Sequence, residues 1–172
     1  MRQFQQFRRL HFFSGQLLTA EDLQQEQEYF LERSRRHNRF LHGWGVVAGL
    51  GVLVEGGTTL VVEPGMAIDC AGNELILAEP ARLCLSGKAG GHYIAIRYAE
   101  ILVEERLTGQ GEREFSRVQE SVSLELVSSN PNTNHRGMGP GTPGCGQAHL
   151  LSLAMLRLQG SRWRVVASAR SA

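Results

Sequence analysis

An α+β fold, with one long N-terminal helix followed by an antiparallel, mostly-β barrel or sandwich, is what this 172-residue sequence predicts. Three observations carry the prediction. A helical stretch over about residues 19–42 has start and stop signals at its two ends. From Val46 onward the hydrophobic period changes from helical towards two. Short glycine-containing links then separate strand-like runs, with no second helical pattern between them, which favours antiparallel over parallel pairing. The chain divides at residue 45 into an N-terminal extension, helix and elbow (1–45) and an antiparallel β domain (46–172).

The helix opens at Leu18-Thr19-Ala20-Glu21-Asp22-Leu23. Thr19 is placed to cap a free backbone N–H, and Leu18 and Leu23 match a hydrophobic staple. Asp22 occupies the capping-box position, but its side chain is shorter than the usual Glu or Gln, so the reciprocal bond is not expected. Glu21 and Asp22 in the first turn and Arg35, Arg36 and Arg39 near the last complement the helix dipole. Glu32 and Arg36 form an i,i+4 pair of favourable polarity. Positions 23, 27, 30, 34, 37 and 41 read Leu, Gln, Phe, Ser, His, Leu, a stripe only partly apolar and widened by Tyr29, Leu31 and Phe40. Two readings of that stripe stand: contact with another chain, or packing across the protein's own sheet.

Gly43, Gly45, Gly49 and Gly51 interrupt the apolar run around Trp44. This spacing stops a helix and permits close backbone approach, so a rigid elbow with Trp44 as its wedge is expected. Strands are predicted over 46–54, 58–63, 66–69, 74–77, 82–85, 93–103, 116–127, 150–158 and 162–168. Links at 55–57, 71–73 and 159–161 read as hairpin or near-hairpin turns. Val122, Leu124 and Leu126 alternate with polar residues as in a half-buried strand. The charged segment 104–118 reads as a hairpin arm or a short helix-like excursion.

Residues 128–147, SSNPNTNHRGMGPGTPGCGQ, hold five Gly, three Pro and three Asn. Such a composition buries too little apolar surface to offset its ordering entropy, so a flexible loop is expected unless a partner or ion fixes it.

Composition narrows the function classes. Net charge is +1, with 17 Arg and one Lys, which disfavours a nucleic-acid binder relying on bulk phosphate neutralisation. Arg33, Arg35, Arg36 and Arg39 make a local basic patch, but Glu28 and Glu32 lie among them, and intersubunit ion pairs explain the mixture more simply. The start, MRQFQQFRRL, has no apolar core of signal-peptide length, and no window approaches the roughly 20 apolar residues of a membrane span. Cys70, Cys84 and Cys145 form neither a paired set nor a finger spacing, in keeping with synthesis in a reducing compartment.

His135, Cys145 and His149 bracket the long loop, and Cys70 or Cys84 would complete a tetrahedron. With no CxxC element, however, they read as free cysteines and ordinary histidines, and no metal or cofactor is expected. His37 and His42 match no ligand pair on one helical face, and a local hydrogen bond is expected of His37. No nucleophile elbow, P-loop or dinucleotide fingerprint is present. Asp69, Glu74, Glu100, Glu104 and Glu105 are the carboxylates that a hydrolase would have to gather in one pocket. Tyr93, Tyr98 and Trp163 are the aromatic platforms that a carbohydrate- or surface-binding module would need.

One ordered series of motifs points further. Phe12-Phe13 and Gly15-Gln16-Leu17-Leu18-Thr19-Ala20-Glu21-Asp22 lead into Glu26, Gln27 and Tyr29. Arg36-His37-Asn38-Arg39, Leu41-His42-Gly43-Trp44-Gly45-Val46-Val47 and Gly49-Leu50 follow, and then VEPGMAIDCAGNEL over 62–75. This half of the chain resembles a module of proteins encoded with bacterial contractile injection systems and phage-tail-like particles. The resemblance implies a non-enzymatic structural protein at or near the baseplate, made in the bacterial cytoplasm without a signal peptide and oligomeric within the particle. Its partners would be baseplate, sheath, tube, spike or fibre components, with neither nucleic acid nor direct membrane insertion involved. Thr19, Asp22, Tyr29, Arg36, His37, Asn38, Arg39, His42, Gly43, Trp44, Gly45, Asp69 and Gly72 are the structural or docking residues it selects.

Overall fold

A computed structural model describes residues 6–85, 92–135 and 143–169. Helix α1 (Ala20–His37) runs directly into a wider π turn (Asn38–His42), and ten strands follow among the described residues. They are β1 (Gly45–Gly49), β2 (Val52–Glu55), β3 (Thr59–Val62), β4 (Gly65–Ile68), β5 (Glu74–Leu77), β6 (Ala81–Cys84), β7 (Tyr93–Leu107), β8 (Arg113–Val127), β9 (Leu151–Gln159) and β10 (Arg162–Ser168). All pairs are antiparallel, in the orders β1-β4-β5, β2-β3-β6 and β10-β9-β7-β8. The fold class is therefore the predicted α+β, mostly β. The sheets curl round one core in a half-barrel, and the described strands do not close into a ring.

That core is built from alternate residues of every sheet. Leu60, Val62, Ala67, Leu75, Ile94, Ile96, Leu151, Leu153 and Leu156 are buried, and both tryptophans join them. Val122, Leu124 and Leu126 pack against this cluster, as their alternation predicts. The predicted strand 46–54 is in fact two strands in different sheets. Leu50 takes a positive φ of 55°, and a Cβ on Gly51 would overlap the Glu63 carboxylate, so the chain turns between them.

The charged segment 104–118 belongs to a hairpin arm, one of its two predicted forms. Strands β7 and β8 keep one register from Tyr93↔Val127 to Leu107↔Arg113, interrupted at Glu104 (φ 58°), whereas β9 pairs β7 only from Tyr93 to Ile96. The outer part of the hairpin thus extends beyond the four-stranded sheet. Ile101, Leu102, Leu107, Phe115 and Val118 on it are exposed.

Helix α1 has no buried residue at all. Its start is a full capping box, in which Asp22 N–H donates to Thr19 Oγ1 at 3.3 Å and Thr19 N–H donates to Asp22 Oδ2 at 3.1 Å. The shorter aspartate closes the box after all, because the extended backbone of Thr19 (φ −100°, ψ 169°) brings its own N–H within reach. Glu32 pairs with its i+3 neighbour Arg35 at 3.0 Å. The preceding segment returns along the helix, placing Phe7 edge-on to Tyr29 and beneath the Arg36 guanidinium.

Candidate functional site

Several of the selected residues meet in one joint between the end of α1 and the β4–β5 turn. Asp69 organises the turn from within. Its Oδ1 accepts the N–H groups of Ala71 (2.8 Å) and Asn73 (2.9 Å), and its Oδ2 accepts Asn73 Nδ2 (2.8 Å). The turn needs a positive φ, 94°, at Gly72. The missing side chain there also admits the backbone of Arg35, since a Cβ would overlap the Arg35 carbonyl.

Asn38 fastens the helix to this turn. Buried at the first position of the π turn, its Nδ2 lies 3.1 Å from Gly72 O and 3.1 Å from Glu74 Oε1. Arg39 Nη1 reaches Ala71 O at 3.5 Å. Helix propagation stops at Gly43, whose φ of 80° turns the chain while its N–H donates to Asn38 O at 2.9 Å. Gly45 follows at φ 132° and opens β1. Trp44, between these glycines, is buried in the core. His37 Nε2 lies 3.1 Å from His42 Nε2, the local bond expected of it.

Beyond the joint, α1 faces the core-side surface of the arm. Arg35 Nη2 is 3.8 Å from Glu100 Oε1, and the Tyr98 hydroxyl donates to Glu100 (2.8 Å) or Glu120 (3.2 Å). Burial first, and then the two carboxylates, raise the Tyr98 phenol above its ordinary pKa. A groove of about 540 Å³ opens alongside, lined by Gln27, Phe30, Leu31, Ser34, Glu100, Val118 and Glu120. Phe30 (56% exposed) and Val118 (57%) face it without cover among the described residues. Thr19, Asp22, Tyr29 and Arg36 stand apart from the joint, along the helix and its cap.

The fold also assembles a group that sequence spacing set aside. Cys70, in the same β4–β5 turn, has its Sγ 3.4 Å from His135 Nδ1. Cys145 Sγ lies 3.0 Å from His149 Nε2, and the His135 and His149 rings are 4.6 Å apart. The donor atoms of Cys70, His135 and Cys145 lie within 4.8 Å of one another. Burial pushes the Cys70 thiol up to about 11, and burial followed by neighbouring His149 lowers the pKa of His135. Of the long loop, residues 136–142 lie outside the described residues; His135 precedes them, and Cys145 and His149 follow them.

No family model and no curated protein matches the sequence. Among solved structures, a crystal structure of TssK superposes over 92% of this chain with a TM-score of 0.51 and 13% identity. The fold resembles that of TssK. The chain spans 40% of that TssK chain, so the likeness concerns part of the larger protein and is one of fold.

The carboxylates a hydrolase would require are dispersed. Asp69 is committed to its turn, Glu74 accepts from Asn38, Glu100 borders the helix groove, and Glu104 and Glu105 pair with arginines on the arm. The proposed aromatic platform is also broken up, since Trp163 is only 4% exposed and belongs to the core.

Proposed function

We propose that this protein is a non-enzymatic structural component of a phage-tail-like contractile injection system, working at or near the baseplate by docking other tail components. The observation that carries this reading is a capped, 18-residue helix without a single buried residue, held at a fixed joint beside a projecting arm. A helix of this length gains too little from its own propensity to justify such an arrangement in isolation. Exposed Leu23, Phe30 and Leu31 on the helix, Leu17 and Leu18 before it and Leu41 in the π turn, with the apolar residues of the arm, supply contact area, and the interspersed charges supply orientation. The fold likeness to TssK, a type VI secretion baseplate component, supports the same class of role. So does the gathering of Asn38, Arg39, Gly43, Trp44, Asp69 and Gly72, all drawn from the injection-system motif series, into one joint.

The division into an N-terminal helical unit (1–45) and a β domain (46–172) forms part of this proposal, with the helix of the first and the arm of the second sharing the docking surface. The test is gentle affinity purification of the tagged chain from cells making such particles, with mass spectrometry of what accompanies it. Sheath, tube, spike or wedge proteins at constant ratio are expected. Recovery of the chain alone would overturn the reading.

A further inference from the structure

Four side chains with metal-binding chemistry converge from three distant parts of the chain: the β4–β5 turn and the two described limbs of the long loop. We propose that Cys70, His135, Cys145 and His149 bind one Zn²⁺ ion, which staples the long loop to the turn that carries the helix.

The donor set is the first argument. Cys70, His135 and Cys145 form the three-donor group, and His149, against Cys145, would complete an S₂N₂ tetrahedron, a set that suits Zn²⁺ rather than the hard, oxygen-seeking cations. Bond lengths of about 2.3 Å to sulfur and about 2.0 Å to nitrogen give donor-to-donor edges of about 3.3–3.8 Å in a tetrahedron. The Cys70–His135 separation of 3.4 Å is such an edge, and Cys145–His149 at 3.0 Å is slightly short of one. With the three atoms of Cys70, His135 and Cys145 within 4.8 Å of each other, closure on an ion requires side-chain adjustments of about 1 Å.

Three of these side chains, those of Cys70, Cys145 and His135, are also positioned by the backbone around them. On one limb, Gly146 N–H donates to Cys70 O at 2.9 Å, and Gly144 lies so close to the Cys70 backbone that no side chain fits. On the other limb, the short 3₁₀ turn Pro131–Asn134 is capped by Asn130 and ends at His135. Its Asn132 Oδ1 accepts the Ser152 N–H of β9 at 3.1 Å. The Trp44 indole stands edge-on to His135 with ring centroids 5.1 Å apart and closes one side with apolar surface. Cys70 is buried, whereas Cys145 is exposed, leaving the ion a route of entry. Binding releases the two thiol protons and leaves a site without net charge.

A disulfide between Cys70 and Cys145 is the competing use of the same sulfurs. It leaves both imidazoles without a role at donor distance, which is why the metal is preferred. The experiment uses the full chain, purified under reduction with zinc present and freed of loose metal by gel filtration. Elemental analysis is expected to find about one zinc per chain. Cobalt in its place is expected to give the intense visible bands of a tetrahedral site and a thiolate charge-transfer band. Cys145→Ser and His135→Ala lose both signals, with folding checked by circular dichroism, while Cys84→Ser keeps them. His149→Ala weakens metal retention, and unchanged retention would remove His149 from the site. Reduced wild-type protein without zinc and without a tetrahedral cobalt spectrum overturns the proposal. Full retention by Cys145→Ser does so too, as does a Cys70–Cys145 disulfide in metal-free protein taken from cells.

Discussion

Gly72 lies against the carbonyl of Arg35, in a contact that only a residue without a side chain can make. The left-handed backbone at Gly72 and the close approach of the helix coincide at one atom position. Gly72→Ala is therefore expected to cost about 2 kcal/mol or more and to pry the end of α1 from the turn. Thermal unfolding measures the first effect, and limited proteolysis within 20–37 the second. A variant with wild-type melting and wild-type protease resistance would contradict the joint as described.

Trp44→Ala removes the largest side chain of the elbow from the core. The expected loss is about 3–5 kcal/mol, read by denaturant titration. Unchanged stability would mean that the indole is not a wedge.

Thr19→Ala deletes the acceptor for Asp22 N–H. Because the cap is exposed, the expected cost is about 1 kcal/mol, seen as fraying at the start of α1 in amide exchange while the β strands stay protected. Equal loss of protection across the sheets would show that the helix and β half unfold as one unit.

Phe30→Ser combined with Val118→Ser makes the groove between α1 and the arm polar. Both residues are exposed, so stability is expected to change by less than about 0.5 kcal/mol. Incorporation into particles is expected to fall sharply. Normal incorporation by this double variant would take the groove out of the docking surface.

Tyr98 supplies a pH dependence. Its folded pKa is raised above the ordinary value of 10.0 by burial and by Glu100 and Glu120, so the folded state holds the phenolic proton more tightly than the unfolded chain does. The resulting stability is complete below pH 10 and is lost as pH rises from there towards the folded pKa. Wild type is expected to lose stability more steeply than Tyr98→Phe across that alkaline window. Parallel curves for the two proteins would refute the assignment.

Much of the architecture was legible because it depends on local signals. The strands at 74–77 and 162–168 have their predicted bounds, since a glycine turn precedes each and its pattern of apolar and polar residues marks its extent. The break at Leu50 was not legible, because it depends on Glu63 lying across Gly51, a tertiary contact that no local period encodes. The partly apolar stripe of α1 left two packings open for a similar reason: sequence records the stripe but not what covers it. The Thr19 cap is legible in the sequence, but side-chain length alone does not show the reciprocal Asp22 bond, for which the backbone angles of Thr19 supply the reach. Cys70 and His135 are 65 residues apart, so their approach had no spacing signature; the only clue was the presence of soft ligands on both sides of a glycine-rich loop.

The unburied helix has a mechanical consequence. Eighteen residues at about 1.5 Å each make a rod of about 27 Å anchored near one end, so a swing of about 5° at Asn38 and Gly72 moves the far tip by about 2 Å. The joint acts as a fulcrum. Its stiffness sets the positional tolerance with which Thr19 and Leu23 meet whatever they touch, and small substitutions at the fulcrum are amplified along the length of the lever.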